Sequence, residues 1–483
     1  MGVKDGGARK WVAAVRRRLL SPVLLVIVLV FLSATVVLGM VPGLLTTPAP
    51  TPQIPAWQQQ PSALSDANAV LPLDTDAPIP VPEVLARLLD ETLKPSGAGS
   101  ITGVVMDGST GQVLFDREAS ANRIPASNMK LLTAVAALKA LGPETRFTTR
   151  VLAGSDPSTV VLTGGGDVLL GAGASNTAAV AGRAGLASLA KDTAAALASA
   201  GVKGSVSVLV DDSLFNGAPL NPAWSLDDVA AGETAPLFSL ALNSGRYSPT
   251  VATGPRPQDS AVTTAQAFAE QLAAAGVQVS PGVERGKGIP AKVLASAESA
   301  TVSEQVDLML ETSDNFLAEA LGRMTAAASG HEATYDGATA AVRQRLGELG
   351  IATDPKQLQL ADVSGLALDN QVSALHFAEV VRAITSGPDL SLRTALDGFP
   401  VAGLTGTLDD RYVDAGTAEG AGLVRAKTGT LNTVIALSGY VVDADGRLLV
   451  FSFIGNGLEP GAAANKVAMD RSASVLAACG CRG

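Results

Sequence analysis

Two residues with the chemistry of a nucleophile and a base stand three positions apart in the run SNMK. They are Ser127 and Lys130, at the predicted start of a helix that ends at Gly142. Because residues i and i+3 share a helix face, the lysine amine can approach the serine hydroxyl. A neutral lysine can activate a serine where histidine is absent, and free N–H groups at a helix N-terminus favour a developing oxyanion. The spacing indicates acyl transfer, with a plain helix-capping serine as the alternative.

Two later runs carry further hydroxyl, amide and amine groups. They are Ser313–Asn315, in a predicted helical region, and Lys427–Thr430, just before a predicted hairpin. Each run alone is also typical of a helix end, a turn or the start of a strand. The motifs S-x-x-K, S-D-N and K-T-G in this order, however, are the signature of penicillin-binding proteins and serine β-lactamases.

The resemblance extends beyond these motifs, over roughly residues 83–478. The chain is similar to the class C low-molecular-mass penicillin-binding proteins, the D-alanyl-D-alanine carboxypeptidase/endopeptidases. One departure is Val168, which stands where the family usually has proline. The segments that carry the likeness are SDNFLAEAL (313–321), DVSGLALDN (362–370), FPVAGLTGTLDDRY (399–412), AKTGTLNTVIALSGYV (426–441), GGGDVLL (164–170) and DDSLF (211–215).

The resemblance implies a proton path around the nucleophile. Ser127 would attack the carbonyl between the two terminal D-alanines of a peptidoglycan stem peptide, and Lys130 would take its proton. Lys130 must be neutral to do so, and we expect the nearby charge of Lys427 to lower its pKa. Ser313 would relay a proton to the leaving amine, and Asn315 would hold the substrate amide.

The resemblance also implies a binding strand. The backbone N–H groups of Ser127 and Thr430 would form the oxyanion hole. Lys427 and Thr428 would bind the terminal carboxylate of the substrate, and Gly429 would let the substrate backbone lie close to the strand. Water then releases the acyl group. A β-lactam mimics the D-Ala-D-Ala bond and should acylate the same serine, which makes β-lactams expected inhibitors.

Strand-like runs lie at both ends of the similar region, with helical patterns between them. Ile101–Met106 and Gln112–Phe115 predict one hairpin, and Val434–Val442 and Leu448–Ile454 predict a second. We expect an α/β (α+β) fold of the serine β-lactamase/DD-peptidase-like penicillin-binding type, with an antiparallel sheet flanked by helices. The stretch between the first two motifs is longer than this domain needs, and the family places an extra domain there.

The N-terminal part of the chain differs in composition from the rest. Residues 1–18 hold six basic groups, and Val23–Leu45 is almost wholly apolar and long enough to cross a bilayer. The positive-inside rule then predicts a single-pass cell-membrane protein whose catalytic part is extracytoplasmic. A cleaved signal peptide, giving a secreted or periplasmic protein, is the alternative. The predicted division is a cytoplasmic segment (1–18), a membrane anchor (19–45), a proline-rich linker (46–82), a penicillin-binding domain (83–144 and 296–483) and an inserted domain (145–295).

Composition excludes several other classes of protein. A net charge of −10 argues against binding nucleic acid. Two histidines and two cysteines leave little room for a metal site, and His331-Glu332 is not a zinc motif, because Tyr335 stands where the second histidine would be. We therefore predict no cofactor and no metal. Cys479 and Cys481 form either a disulfide or part of an unstructured tail.

Several functional alternatives stay open at this point. A serine β-lactamase is the first, although no E-x-x-L-N-type segment lies between Asn315 and Lys427. A non-catalytic peptidoglycan-binding scaffold and an esterase on the same fold are the others. The sequence does not separate terminal carboxypeptidase from cross-link endopeptidase activity, since the two differ only in the leaving amine. It also leaves open the stem-peptide diamino acid and the oligomeric state, a homo-oligomer included.

Overall fold

The computed structural model describes residues 73–74, 76–251 and 253–482. The predicted cytoplasmic segment and membrane anchor lie outside this part of the chain, as does most of the predicted linker. Within the described residues, no helix is long and apolar enough to cross a membrane. The last residues of the predicted linker are packed, since Ala77 is buried and the Val81 N–H donates to the Cys481 carbonyl.

Apolar runs at the two ends of the described chain form one five-stranded antiparallel sheet. Its strand order is β11-β12-β13-β1-β2, so the C-terminal hairpin pairs with the N-terminal one. The strands are β1 (Ser100–Asp107), β2 (Val113–Arg117), β11 (Arg425–Leu431), β12 (Val434–Val442) and β13 (Leu448–Asn456). The strand β11 carries the K-T-G motif and is an edge of this sheet, so its outer side is free to face a cleft.

Both faces of this sheet are covered by helices, which explains why β13 is buried along almost its whole length. One face packs on α2 (Met129–Leu141) and α9 (Ala374–Ser386), within an apolar cluster that includes Val104 and Val450. The other face packs on α1 (Pro82–Thr92) and α10 (Lys466–Ala478). The predicted fold class is confirmed.

The helix α2 is buried on all sides from Met129 to Leu138, because further helices surround it. These are α6 (Val302–Thr312), α7 (Asn315–Ala328) and α8 (Tyr335–Glu348). The sequence predicted that Ser313–Asn315 lie within a helical region, but the helix is interrupted there. The helix breaks at Ser313, whose backbone is left-handed (φ 58°), and Asp314 then caps α7 by accepting from the Leu317 N–H. The break presents the S-D-N motif at a corner between two helices.

The stretch between the first two motifs forms a second five-stranded sheet, in the order β7-β6-β5-β4-β8. Its strands run from Arg146 to Thr301, and they pack on α3 (Leu186–Ser199) and α5 (Ser260–Ala274) around a separate apolar cluster. A short helix, α4 (Leu226–Ala231), lies in the connection before α5. The strands are β4 (Arg146–Ala153), β5 (Thr159–Thr163), β6 (Val206–Asp211), β7 (Val279–Arg285) and β8 (Val293–Thr301).

Two smaller features complete the described chain. A three-stranded sheet joins β3 (Asn122–Arg123), β9 (Leu358–Gln359) and β10 (Gln371–Ser373). The loop between β9 and β10 holds the segment DVSGLALDN. At the C-terminus Cys479 and Cys481 form a disulfide and are both buried, so the unstructured-tail alternative was wrong.

Candidate active site

Ser127 lies in a single 3-10 turn that leads directly into α2. A hydrogen bond attaches the turn to the central sheet, since the Asn128 Nδ2 donates to the Ser438 Oγ of β12 across 2.5 Å. Ala126, just before the serine, has a left-handed backbone (φ 47°). An L-residue with positive φ is strained, and such strain persists only where the surroundings enforce it. The result is a partly exposed serine hydroxyl on a rigid, buried support.

Lys130 lies one turn further along α2 and is fully buried. Its Nζ donates to the Ser127 Oγ at 2.9 Å, to the Asn315 Oδ1 at 2.6 Å and to the Ser364 carbonyl at 2.7 Å. Three acceptors around one amine hold it against the serine. The predicted spacing therefore brings nucleophile and base into hydrogen-bond contact.

Burial lowers the pKa of Lys130 to about 8, because the charged amine loses its hydration. Nearby carboxylates, of which Asp362 contributes most, act in the opposite direction. The charge of Lys427 was expected to be the cause, but the cause is burial. The repulsion between the two amines lowers the pKa of Lys427 instead, which burial and Lys130 together hold well below its usual value.

At the helix break, Ser313 contacts the binding strand and Asn315 contacts the base. The Ser313 Oγ accepts from the Lys427 Nζ at 2.9 Å. Asn315 uses both ends of its amide, because its Oδ1 accepts from Lys130 while its Nδ2 donates to the Glu233 carbonyl at 3.0 Å. The predicted role of Asn315 was to hold the substrate amide. In the structure its side chain contacts Lys130 and the Glu233 carbonyl.

The strand β11 brings the K-T-G residues to the same place. Lys427 is fully buried, and its Nζ also donates to the Thr428 carbonyl at 2.7 Å. The Thr428 Oγ1 shares a hydrogen bond of 2.7 Å with the Thr407 Oγ1. Thr430 is exposed and lines the cleft, as does Thr428. The edge of the sheet thus presents two hydroxyl side chains toward the serine.

The structure shows a packing role for Gly429. The resemblance implied that its missing side chain makes room for the substrate backbone. A Cβ at this position would meet the Pro125 carbonyl oxygen at 2.9 Å and the Ala126 Cβ at 3.1 Å. The glycine therefore allows β11 to pack against the turn that presents Ser127.

Several residues of the site were missed by sequence reasoning. Asp362 is the centre of one group, since its carboxylate accepts from the Trp224 Nε1, the Gly365 and Ala367 N–H groups, the Ser364 hydroxyl and the Asn370 amide. Glu319 accepts from the Val363 and Ser364 N–H groups. These contacts shape the loop that offers the Ser364 carbonyl to Lys130. The resemblance of DVSGLALDN to a known family was the feature of the sequence that could have indicated this loop. No feature of the sequence indicated Glu233 as a residue of the site.

The motifs converge on a cleft of about 800 Å³. It is lined by Ser127, Ser313, Asn315, Thr428 and Thr430, together with residues of α4, the β9–β10 loop and the start of α10. Among the described residues, no group of three or more His, Cys, Asp or Glu could hold a metal ion. The arrangement can perform nucleophilic acyl transfer with a lysine base.

Comparison with known proteins agrees with this chemistry. The profile of the D-Ala-D-Ala carboxypeptidase 3 (S13) family matches residues 85–258 and 254–478. Carboxypeptidase DacB of Mycolicibacterium smegmatis is 37% identical over 87% of this chain and 89% of its own length. A carboxypeptidase of Mycobacterium tuberculosis is 35% identical over 90% of each chain.

A solved structure shares the fold. Penicillin binding protein 4 (dacB) from Haemophilus influenzae superposes with a TM-score of 0.63 over 80% of this chain and 97% of its own, at 21% identity. The same protein has been solved in complex with a β-lactam, with a TM-score of 0.59 to this chain over 80% of it and 98% of that chain, at 22% identity.

Proposed function

The chain belongs to the D-Ala-D-Ala carboxypeptidase 3 (S13) family, and from that premise we propose that it is a serine D-Ala-D-Ala carboxypeptidase acting on peptidoglycan stem peptides. The observation that carries the proposal is the contact of the Lys130 Nζ with the Ser127 Oγ at 2.9 Å inside the cleft. A serine paired with a buried amine of lowered pKa is an activated nucleophile.

We propose the following acylation step. The Ser127 Oγ bonds to the carbonyl carbon between the two D-alanines as its proton passes to the Lys130 Nζ. The C–N bond then breaks as the Ser313 hydroxyl gives its proton to the leaving amine and takes up the proton that Lys130 had received, so that both side chains return to their starting state. Because the Ser313 Oγ already accepts from Lys427, its own proton is free to point toward the leaving group. Water completes the hydrolysis and frees Ser127.

We propose that the edge strand binds the substrate. The Thr428 and Thr430 side chains line the cleft on the side of β11, where the terminal carboxylate and the oxyanion would lie. Lys427 would add a cation there once the substrate carboxylate enters, since a nearby anion raises the pKa of a lysine. The oxyanion hole would be formed by the Ser127 and Thr430 N–H groups.

Two further aspects are proposals that rest on the sequence. The basic segment at 1–18 and the apolar run Val23–Leu45 support a membrane anchor with the enzyme on the extracytoplasmic side, where peptidoglycan lies. A cross-link endopeptidase activity would use the same residues with a different leaving amine.

The proposed function is tested by incubating the full chain, purified in detergent, with a synthetic stem peptide ending in D-Ala-D-Ala. We expect release of one D-alanine per peptide and, with benzylpenicillin, one long-lived covalent adduct in the intact mass. Penicillin consumed without an adduct would indicate the β-lactamase alternative. Neither product nor adduct would mean that the chain is a scaffold on this fold.

The lowered pKa of Lys130 predicts a pH dependence. Only the neutral amine can accept the serine proton, so the acylation rate should fall about tenfold for each pH unit below about 8. Above this value the rate should level off, until other groups titrate. The measurement is the second-order rate constant of acylation by benzylpenicillin as a function of pH. A rate that stays constant down to about pH 5 would contradict a lysine base with this pKa.

A further inference from the structure

Residues 232–256, in the region inserted between the first two motifs, contact the start of α7 at two points. The Arg246 Nη1 donates to the Asp314 Oδ2 across 2.8 Å, with the carboxylate side chain only 8% exposed. The Glu233 carbonyl accepts from the Asn315 Nδ2 across 3.0 Å. The inserted region therefore holds two of the three residues of the S-D-N motif.

A second arginine fixes the backbone on which these two contacts depend. Arg256 is buried, and its Nε donates to the Gly232 carbonyl at 2.6 Å while its Nη1 donates to the Ser244 carbonyl at 3.1 Å. These carbonyls lie next to Glu233 and two residues before Arg246. The Arg256 side chain thus ties together the two backbone stretches that reach the S-D-N motif.

The charges around Lys130 explain why the Arg246–Asp314 contact matters for the reaction. The charged form of Lys130 is favoured by four carboxylates: Asp362, Asp314, Glu319 and Glu233. Lys427 also lies near this lysine, and its own pKa is lowered by burial and by the charge of Lys130. Asp314 differs from the other three carboxylates because the Arg246 guanidinium lies at hydrogen-bond distance from it. Arg256 is close enough to Asp314 and Arg246 for its pKa to be affected by their charges.

We propose that Arg246 is a positioning residue of the acylation reaction, whose guanidinium compensates the Asp314 carboxylate and so keeps Lys130 neutral and aligned on Ser127. The inference rests on the proposed function. It means that the inserted region takes part in the chemistry through the charge state of the base, although it supplies neither nucleophile nor base. Without the Arg246 guanidinium, the Asp314 carboxylate would act more strongly on Lys130 and stabilise its protonated form.

The test is the pH dependence of acylation by benzylpenicillin in the full chain carrying Arg246→Gln. We expect the acidic limb of the profile to move upward by about one pH unit, the order expected for one unscreened charge near a buried amine. Arg246→Lys keeps the charge and should return the limb to within a few tenths of a unit of the wild-type position. The rate on the alkaline plateau should change much less than the rate at neutral pH.

Asp314→Asn provides the reciprocal variant. An asparagine oxygen can still accept from the Leu317 N–H and cap α7, so the helix start is retained while the carboxylate is lost. The acidic limb should then move to lower pH. In the double variant, Arg246→Gln should add no upward shift, because its charged partner is absent.

Arg285→Gln is the matched control. Arg285 also lies in the inserted region and also pairs with carboxylates, Asp212 and Asp259, but none of these residues lines the cleft. The pH profile of acylation in Arg285→Gln should match that of the wild type. A uniform loss of rate in Arg246→Gln at every pH, with the limb unmoved, would overturn the inference and leave a purely structural contact. If the wild type is not acylated at all, the proposed function fails instead.

Discussion

Ser127→Ala is expected to lower both D-alanine release and acylation by benzylpenicillin by at least about a thousandfold. The reason is that the serine oxygen forms the covalent bond of the proposed intermediate, and the residues around it supply no second nucleophile in the same position. The Lys130 Nζ would keep its contacts with Asn315 and Ser364 in the variant. The fold should therefore be retained while the adduct disappears from the intact mass.

Ser225→Ala is the control for a general effect of removing a hydroxyl from the cleft. Ser225 lines the same cavity but caps α4, where its Oγ accepts from the Asp227 N–H. Losing the cap should cost about 1 kcal/mol of stability, and the covalent adduct should still form. An adduct that persists in Ser127→Ala and is lost in Ser225→Ala would contradict the assignment of the nucleophile.

The parts of the site that sequence reasoning predicted are those encoded locally. Ser127 and Lys130 are three residues apart on one helix, so their contact follows from helix geometry alone. The hairpins likewise follow from apolar runs on either side of a turn, and they supply β1, β2, β12 and β13 of the central sheet. The helix break at Ser313 was not predicted, although it has a local cause, since Asp314 caps α7.

The parts that could not be predicted depend on which distant segments meet. Asn315 contacts Lys130 across 185 positions of sequence and Glu233 across 82, and neither contact was predicted. The packing of Gly429 against Pro125 was not predicted either, because nothing local indicates that the two segments meet. The cause of the lowered pKa of Lys130 was misjudged for the same reason, as burial is a property of the assembled fold.

Lys130→Met should reduce acylation about a thousandfold with the fold retained. Methionine is close to lysine in length and suits a fully buried position, but it has no amine to accept the serine proton. The Asn315 Oδ1 and the Ser364 carbonyl would lose a donor, which destabilises the fold by about 1–3 kcal/mol for each unsatisfied group. The variant no longer buries an amine, and the desolvation cost that is avoided offsets part of this loss of stability. The measurements are the acylation rate constant and a urea unfolding curve.

Lys139→Met, on the same helix, is the control, because Lys139 pairs with Asp389 at 3.3 Å and does not line the cleft. Its acylation rate should match that of the wild type. The residual reaction of Lys130→Met carries the decisive information in its pH profile. If Lys130 is the base, the fall in rate below about pH 8 disappears with it. If the fall remains, the proton goes to another buried amine, and Lys427, whose pKa is also lowered and whose Nζ lies 2.9 Å from the Ser313 Oγ, becomes the base.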